Sequence, residues 1–225
     1  MMQDFISLIF PEYCLMCEDG LVKDEKLICM YCRHTLPRTE SHKDAENFIA
    51  RKFWGKLSLK YAWAYLKFSK KGQVQRALHK LKYDGYAEVG ELLGYWYGHE
   101  LKEQGLHIEF DLILPVPLHI SKLKKRGYNQ SDTIAKGMSE VMSVEWDGKV
   151  LVKNTASETQ TKKKRLERWE NVEKVFEIKN QQKIAGKRIL LIDDVVTTGS
   201  TLEACATLLL DEGCKEVSIA AIASA

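Results

Sequence analysis

An α/β fold, with a mainly parallel sheet flanked by helices and a small cysteine-bearing module at the N-terminus, is predicted by three observations. Residues Ile189 to Ile192 are apolar without alternation, the pattern of a strand buried on both faces of a parallel sheet. Strand-like and helix-like stretches alternate along the chain, which favours parallel strands joined by helical crossovers. Two Cys-x-x-Cys pairs, Cys14/Cys17 and Cys29/Cys32, lie close together near the start. At 225 residues the chain is long enough for one substantial domain plus an appendage. The expected division is 1–50 for the cysteine module and a linker, and 51–225 for the α/β domain.

Composition narrows the function classes. With 45% hydrophobic and 29% charged residues the chain is that of an ordinary soluble globular protein. A net charge of +3 is only mildly basic, so a case for nucleic acid has to come from local clusters. No apolar run approaches the roughly 20 residues of a membrane helix, so no membrane insertion is expected. The opening Met1-Met2-Gln3-Asp4 is acidic where a secretory signal would be basic, and the apolar stretch Phe5–Phe10 is short and ends at Pro11. A packing segment and a cytoplasmic location are expected.

From the N-terminus, the cysteine pairs come first. Eleven residues separate them, with Glu18-Asp19-Gly20 as a turn. Each pair can place two thiolates on one tetrahedral zinc ion, and a hairpin brings the four together. A disulfide framework would need an oxidising compartment, which nothing here suggests, and a thioredoxin-like role would need one pair rather than two. A module this small has little core, so a metal would contribute most of its folding free energy. His34 and His42 read as solvated surface residues, and Cys205 and Cys214 as buried structural thiols.

Residues 33–56 are polar, mixed in charge and without clear period, and read as a linker. Tyr61–Phe68 is rich in aromatics and reads as a strand with a buried face. Val74 to Leu81 and Glu88 to Gln104 are helical; Tyr95, Trp96 and Tyr97 in the second read as core or interface rather than as a base-stacking surface. Phe110–Leu114 is a strand closed by Pro115-Val116-Pro117. The basic run Lys122–Arg126 follows, then a helix from about Ser131 to Met142 and a short strand at Lys149–Lys153. A second basic cluster comprises Lys153, Lys162, Lys163, Lys164, Arg165 and Arg168. Gly186-Lys187 introduces the apolar strand, and Val217–Ala221 is a closing strand.

The strand at 189–192 carries the chemistry. It runs into Asp193 and Asp194, then Val195, Val196, Thr197, Thr198, Gly199, Ser200 and Thr201, then an apolar-periodic helix to Leu210. Backbone N–H groups of a small-residue loop at a helix N-terminus form an anion site. Two carboxylates cannot serve that anion. At the carboxyl edge of a sheet they can accept hydrogen bonds from vicinal sugar hydroxyls or help hold a divalent cation. A sugar phosphate satisfies both halves. Two adjacent acids after a buried strand cost folding energy unless something binds there. Neither G-x-G-x-x-G nor G-x-x-x-x-G-K-S/T occurs, which argues against a dinucleotide or P-loop site.

This stretch resembles the phosphoribosyl-pyrophosphate (PRPP) signature of type I phosphoribosyltransferases. Leu114–Pro117, Arg126-Gly127-Tyr128-Asn129-Gln130, the series Gln160, Arg168, Asn171 and Phe176, and the four cysteines make nearly the whole chain similar to the ComF/ComFC competence-protein family. The resemblance implies a type I phosphoribosyltransferase-like domain with an N-terminal zinc ribbon. It implies ribose binding, and the catalytic role, at Asp193 and Asp194, a 5′-phosphate cradle at Thr197–Thr201, and Mg²⁺ with PRPP. Lys82, in the turn before Asp84-Gly85, Arg126 and the basic segment 162–168 are candidates for the pyrophosphate, the last as a flap. Two functions follow: phosphoribosyl transfer to an acceptor, or a non-catalytic PRPP-sensing or single-stranded-DNA-binding module of the competence machinery, with single-stranded DNA or a competence helicase as partner. Tyr128 and Trp169, beside the basic clusters, are the stacking candidates for the DNA reading.

Overall fold

The computed structural model describes residues 11–153 and 175–225. The apolar stretch before Pro11, and Gln160, Lys162–Arg165, Arg168, Trp169 and Asn171 with the expected flap, lie outside the described residues.

In chain order the main elements are α1 (Met30–His34), β1 (Ala62–Lys67), α2 (Gln73–Tyr83), α3 (Ala87–Glu103), β2 (Leu112–Pro115), α4 (Ile120–Arg126), α5 (Gln130–Met142), β3 (Leu151–Lys153), β4 (Phe176–Ile178), β5 (Arg188–Val196), α6 (Ser200–Asp211) and β6 (Glu216–Ser224). The four long-range strands form one sheet in the order β1-β6-β5-β2, and all three pairings are parallel. The central β5 buries Ile189, Leu190, Leu191 and Ile192 almost completely, as its unbroken apolar run requires. β3 and β4 form a separate antiparallel pair, which the sequence reading did not anticipate beyond its first strand. Among the described residues no helix is long and apolar enough to cross a membrane.

Each face of the sheet has its own core. On one, Trp63, Tyr65, Leu190 and Ile192 meet α2, α3 and α5. On the other, Ala62, Ala64, Leu112 and Leu191 meet α6 together with Ile49 and Phe53. Helices α3 and α5 cross with their backbones nearly touching. A Cβ added at Gly94 would lie 2.2 Å from the Ile134 carbonyl oxygen, and one at Gly137 would lie 2.1 Å from that of Glu91. Only glycine permits this approach, and it sets where α5 begins.

The stretch 33–56 is not an unstructured linker. β1 is an edge strand, with backbone groups in need of partners. The Thr39 N–H donates to the Tyr65 carbonyl at 2.9 Å, the Lys67 N–H to the Pro37 carbonyl at 2.8 Å, and the Ser41 hydroxyl to the Ala64 carbonyl at 2.9 Å. Short 3₁₀ turns at Ser41–Lys43 and Ala50–Phe53 then bury Ile49 and Phe53. Polar composition concealed this because the side chains that matter are few and unevenly spaced. His42 is likewise not a solvated histidine: it lies half-buried, 6.2 Å from the Tyr97 ring, and burial lowers its pKa.

The cysteine module shares the first core. Met16 and Cys32 are fully buried in the same cluster as Leu78 and Trp63, and Arg76 of α2 donates to the Met16 carbonyl.

Candidate functional site

Parallel strands present their carboxyl ends on one side of a sheet, where α/β proteins bind ligands. β5 delivers Asp193 and Asp194 there, and the chain then turns through Thr197–Gly199 into α6. Gly199 makes the turn in the left-handed region, with φ +83. The first N–H groups of a helix have no intrahelical acceptor, so the start of α6 presents donors beside the loop. The Thr198 and Ser200 hydroxyls lie 3.0 Å apart at its mouth. A hollow of about 50 Å³ is lined by Asp193 and by every residue from Val195 to Leu202.

A larger pocket of about 320 Å³ opens beside it, and Asp193 and Thr201 line both. Its wall brings together Lys82, Arg126, Asp193 and Asp194, which the sequence reading singled out one by one. It adds Lys122 from α4, Lys153 from the end of β3, and His119. Four cations thus face two carboxylates. Lys153 and Lys122 were visible only as members of basic runs. His119 carried no sequence signal, since a lone histidine after a strand end has no distinguishing spacing.

The two carboxylates have different partners. Asp194 accepts from Lys82 Nζ at 2.9 Å. Asp193 Oδ1 accepts from the Asp194 N–H at 2.8 Å and from the Ser131 hydroxyl at 3.3 Å. Burial, and then the charge of Asp194, raise the Asp193 carboxyl to about 7, against the pull of that N–H, of Lys82 and of Ser131.

The N-terminus of α5 frames the opposite wall. Asn129 caps it, its side-chain oxygen accepting from the Ser131 N–H at 3.3 Å while its Nδ2 donates to the Val116 carbonyl at 3.0 Å. Gln130 accepts from Arg126 at 2.7 Å, yet its Nε2 is buried at the pocket wall without a partner among the described residues. The Arg126 guanidinium also lies 5.1 Å from the centre of the exposed Tyr83 ring. The Tyr128 hydroxyl donates to the Leu81 carbonyl, and its half-buried ring packs against the first core.

In the N-terminal module, one donor sulfur from each of Cys14, Cys17, Cys29 and Cys32 lies within 4.8 Å of every other, and the Cys17 and Cys29 sulfurs are 3.7 Å apart. A tetrahedron with Zn–S bonds of about 2.3 Å has edges of about 3.8 Å, so the donor set fits a zinc-ribbon centre. Burial opposes ionisation of Cys14, but N–H groups including those of Cys29 and Met16 hold its thiol down to about 7, favouring a thiolate ligand.

The raised Asp193 carboxyl has a measurable sign. Its folded-state pKa of about 7 lies above the ordinary 3.8, so its stabilising contribution is complete below 3.8 and is lost as pH rises through 7. Asp193→Asn should therefore be more stable than the unmodified protein at about pH 8, by on the order of 2 kcal/mol, with the gain fading toward about pH 4. Urea unfolding across that range checks it; a pH-independent difference would show that the carboxyl is not held up.

The phosphoribosyl transferase domain family matches residues 113–225, half of the chain. DNA utilization protein YhgH of Escherichia coli (strain K12) is 28% identical over 215 residues, covering 92% of this chain and 87% of that protein. Competence protein ComFC of Bacillus subtilis (strain 168) is 34% identical over 102 residues, covering 45% of this chain and 39% of its own. Among solved structures, a glutamine PRPP amidotransferase from B. subtilis, complexed with ADP and GMP, aligns with a TM-score of 0.47 at 20% identity, over 64% of this chain and 30% of that one. The chain belongs to the phosphoribosyl transferase domain family, as a ComF-type protein with a four-cysteine N-terminal module.

Proposed function

We propose that this protein binds PRPP at the end of β5 and is built for phosphoribosyl transfer. Ribose hydroxyls meet Asp193 and Asp194, the 5′-phosphate occupies the Val195–Thr201 hollow, and the pyrophosphate lies among Lys82, Lys122, Arg126 and Lys153. The observation that carries this reading is the placing of a diacid, a loop at a helix N-terminus and four cations around two hollows that share Asp193 and Thr201. A compound bearing two anionic ends and a central diol matches that order.

Transfer breaks the bond from C1 of the ribose to the pyrophosphate oxygen, which leaves with the electron pair, while a lone pair of the acceptor closes on C1. Positive charge builds on the ring and negative charge on the leaving group. Asp193 and Asp194 orient the ribose and favour the first; the lysines and Arg126 favour the second. The buried Gln130 Nε2 supplies a further donor on the pyrophosphate side. Carboxylate and pyrophosphate oxygens are hard donors suited to Mg²⁺, which neutralises leaving-group charge when bound.

A second reading, a role in DNA handling, is supported by the names of the relatives and by an exposed aromatic and basic surface around the end of α2. Two exposed rings there each carry a cation, Tyr83 with Arg126 at 5.1 Å and Tyr86 with Lys80 at 5.9 Å. Alternating rings and cations suit a single strand, which is held by stacking and phosphate contacts. Single-stranded DNA affinity should fall steeply with salt and drop about tenfold in Tyr83→Ala; a salt-independent signal that this variant leaves unchanged removes the DNA reading.

Calorimetry with PRPP and Mg²⁺ should show binding to the unmodified protein and its loss in Asp193→Asn combined with Asp194→Asn. An unmodified protein that takes up no heat with PRPP refutes the main reading. We further propose that the four thiolates hold one structural zinc ion. Elemental analysis should find about one zinc per chain, and chelation should lower the Tm because metal binding contributes to folding. A metal-free protein with an unaltered Tm rules the ion out.

A further inference from the structure

Two residues of the segment before β1 close on the phosphate loop from outside the pocket. Lys52 Nζ donates to the Thr197 carbonyl at 2.7 Å and to the Ala225 carbonyl at 3.4 Å. Next to it Phe53, 1% exposed, packs its ring against Gly199, where an added Cβ would lie 2.7 Å from Phe53 Cζ. Lys52 does not line the loop's hollow, and its ammonium holds the loop through the Thr197 carbonyl.

The geometry of the peptide unit gives this contact a consequence. The described backbone has no cis bonds. In a planar trans peptide the C=O and the following N–H point in opposite directions. Anchoring the Thr197 oxygen on Lys52 therefore turns the Thr198 N–H away from Lys52. It also keeps a carbonyl, the negative end of the peptide dipole, from facing an anion. Phe53 fills the space behind Gly199, leaving the tight turn at φ +83 no room to relax in that direction.

We propose that Lys52 is a positioning residue for the 5′-phosphate: it orients the Thr197–Thr198 peptide so that the Thr198 N–H faces the hollow, without itself touching the ligand. The proposal rests on the PRPP reading of the loop. It assigns a binding role to a residue 145 positions away from the loop and outside the matched family region.

The test separates the two anionic ends by using ribose 5-phosphate and Mg²⁺–pyrophosphate as independent calorimetric probes on the full chain. Lys52→Met should weaken ribose 5-phosphate about tenfold, the size expected for losing one charge-assisted hydrogen bond, and leave pyrophosphate binding unchanged. Lys52→Arg, which keeps a donor, should restore most of the affinity. Lys56→Met, which removes a nearby lysine paired with Glu203 at 3.5 Å, should have no effect on either probe. In ¹⁵N–¹H spectra the Thr198 amide should shift with ribose 5-phosphate in the unmodified protein and not in Lys52→Met. Unchanged ribose 5-phosphate affinity in Lys52→Met, or equal loss of both probes, overturns the proposal while the PRPP reading stands. An unmodified protein that binds neither probe overturns both.

Discussion

Two carboxylates held side by side at the open end of a buried strand impose the constraint to which the surrounding structure answers. Adjacent negative charges repel, and partial burial adds a desolvation cost. Lys82 offsets part of this at Asp194, and the Asp194 N–H and the Ser131 hydroxyl offset part at Asp193. The compensation is incomplete, since Asp193 still holds its proton far above the ordinary carboxylate range. Nothing in the packing of β5 requires acids at these positions. A costly pair retained next to a polar opening is what a binding site looks like before its ligand supplies the missing partners.

These partners converge because the helices approach one another so closely. The glycine contacts between α3 and α5 bring the start of α5, with Asn129, Gln130 and Ser131, to the end of β5. The Tyr128 hydroxyl then ties the entry of α5 to the Leu81 carbonyl, one residue before Lys82. The lysine on one carboxylate and the serine on the other are thus registered against each other by backbone packing rather than by direct contact.

The N-terminal part of the chain belongs to the same mechanical unit. The cysteine module packs into the core that carries α2, and the chain leaving it closes the free edge of β1 before reaching the loop after β5 at Lys52 and Phe53. Folding of the cysteine module, the edge of the sheet and the loop after β5 are therefore physically connected, although no described residue of the module lines the pocket.

Much of this was legible in the sequence. The unbroken apolar run of β5, the diacid, the small-residue turn into α6 and the paired cysteines are signals confined to a few consecutive residues, where periodicity and spacing determine local geometry. That is why the parallel sheet, the ribbon and the family could be read from the chain alone. The contacts that assemble the pocket are of another kind. Lys82 meets Asp194 across 112 positions, and Lys52 meets Thr197 across 145. Lys52 looks like any surface lysine, Lys82 is marked only by its place in a turn, and His42 looks solvated. The tertiary structure alone decided their roles, because each depends on which distant backbone packing brings within a few ångströms.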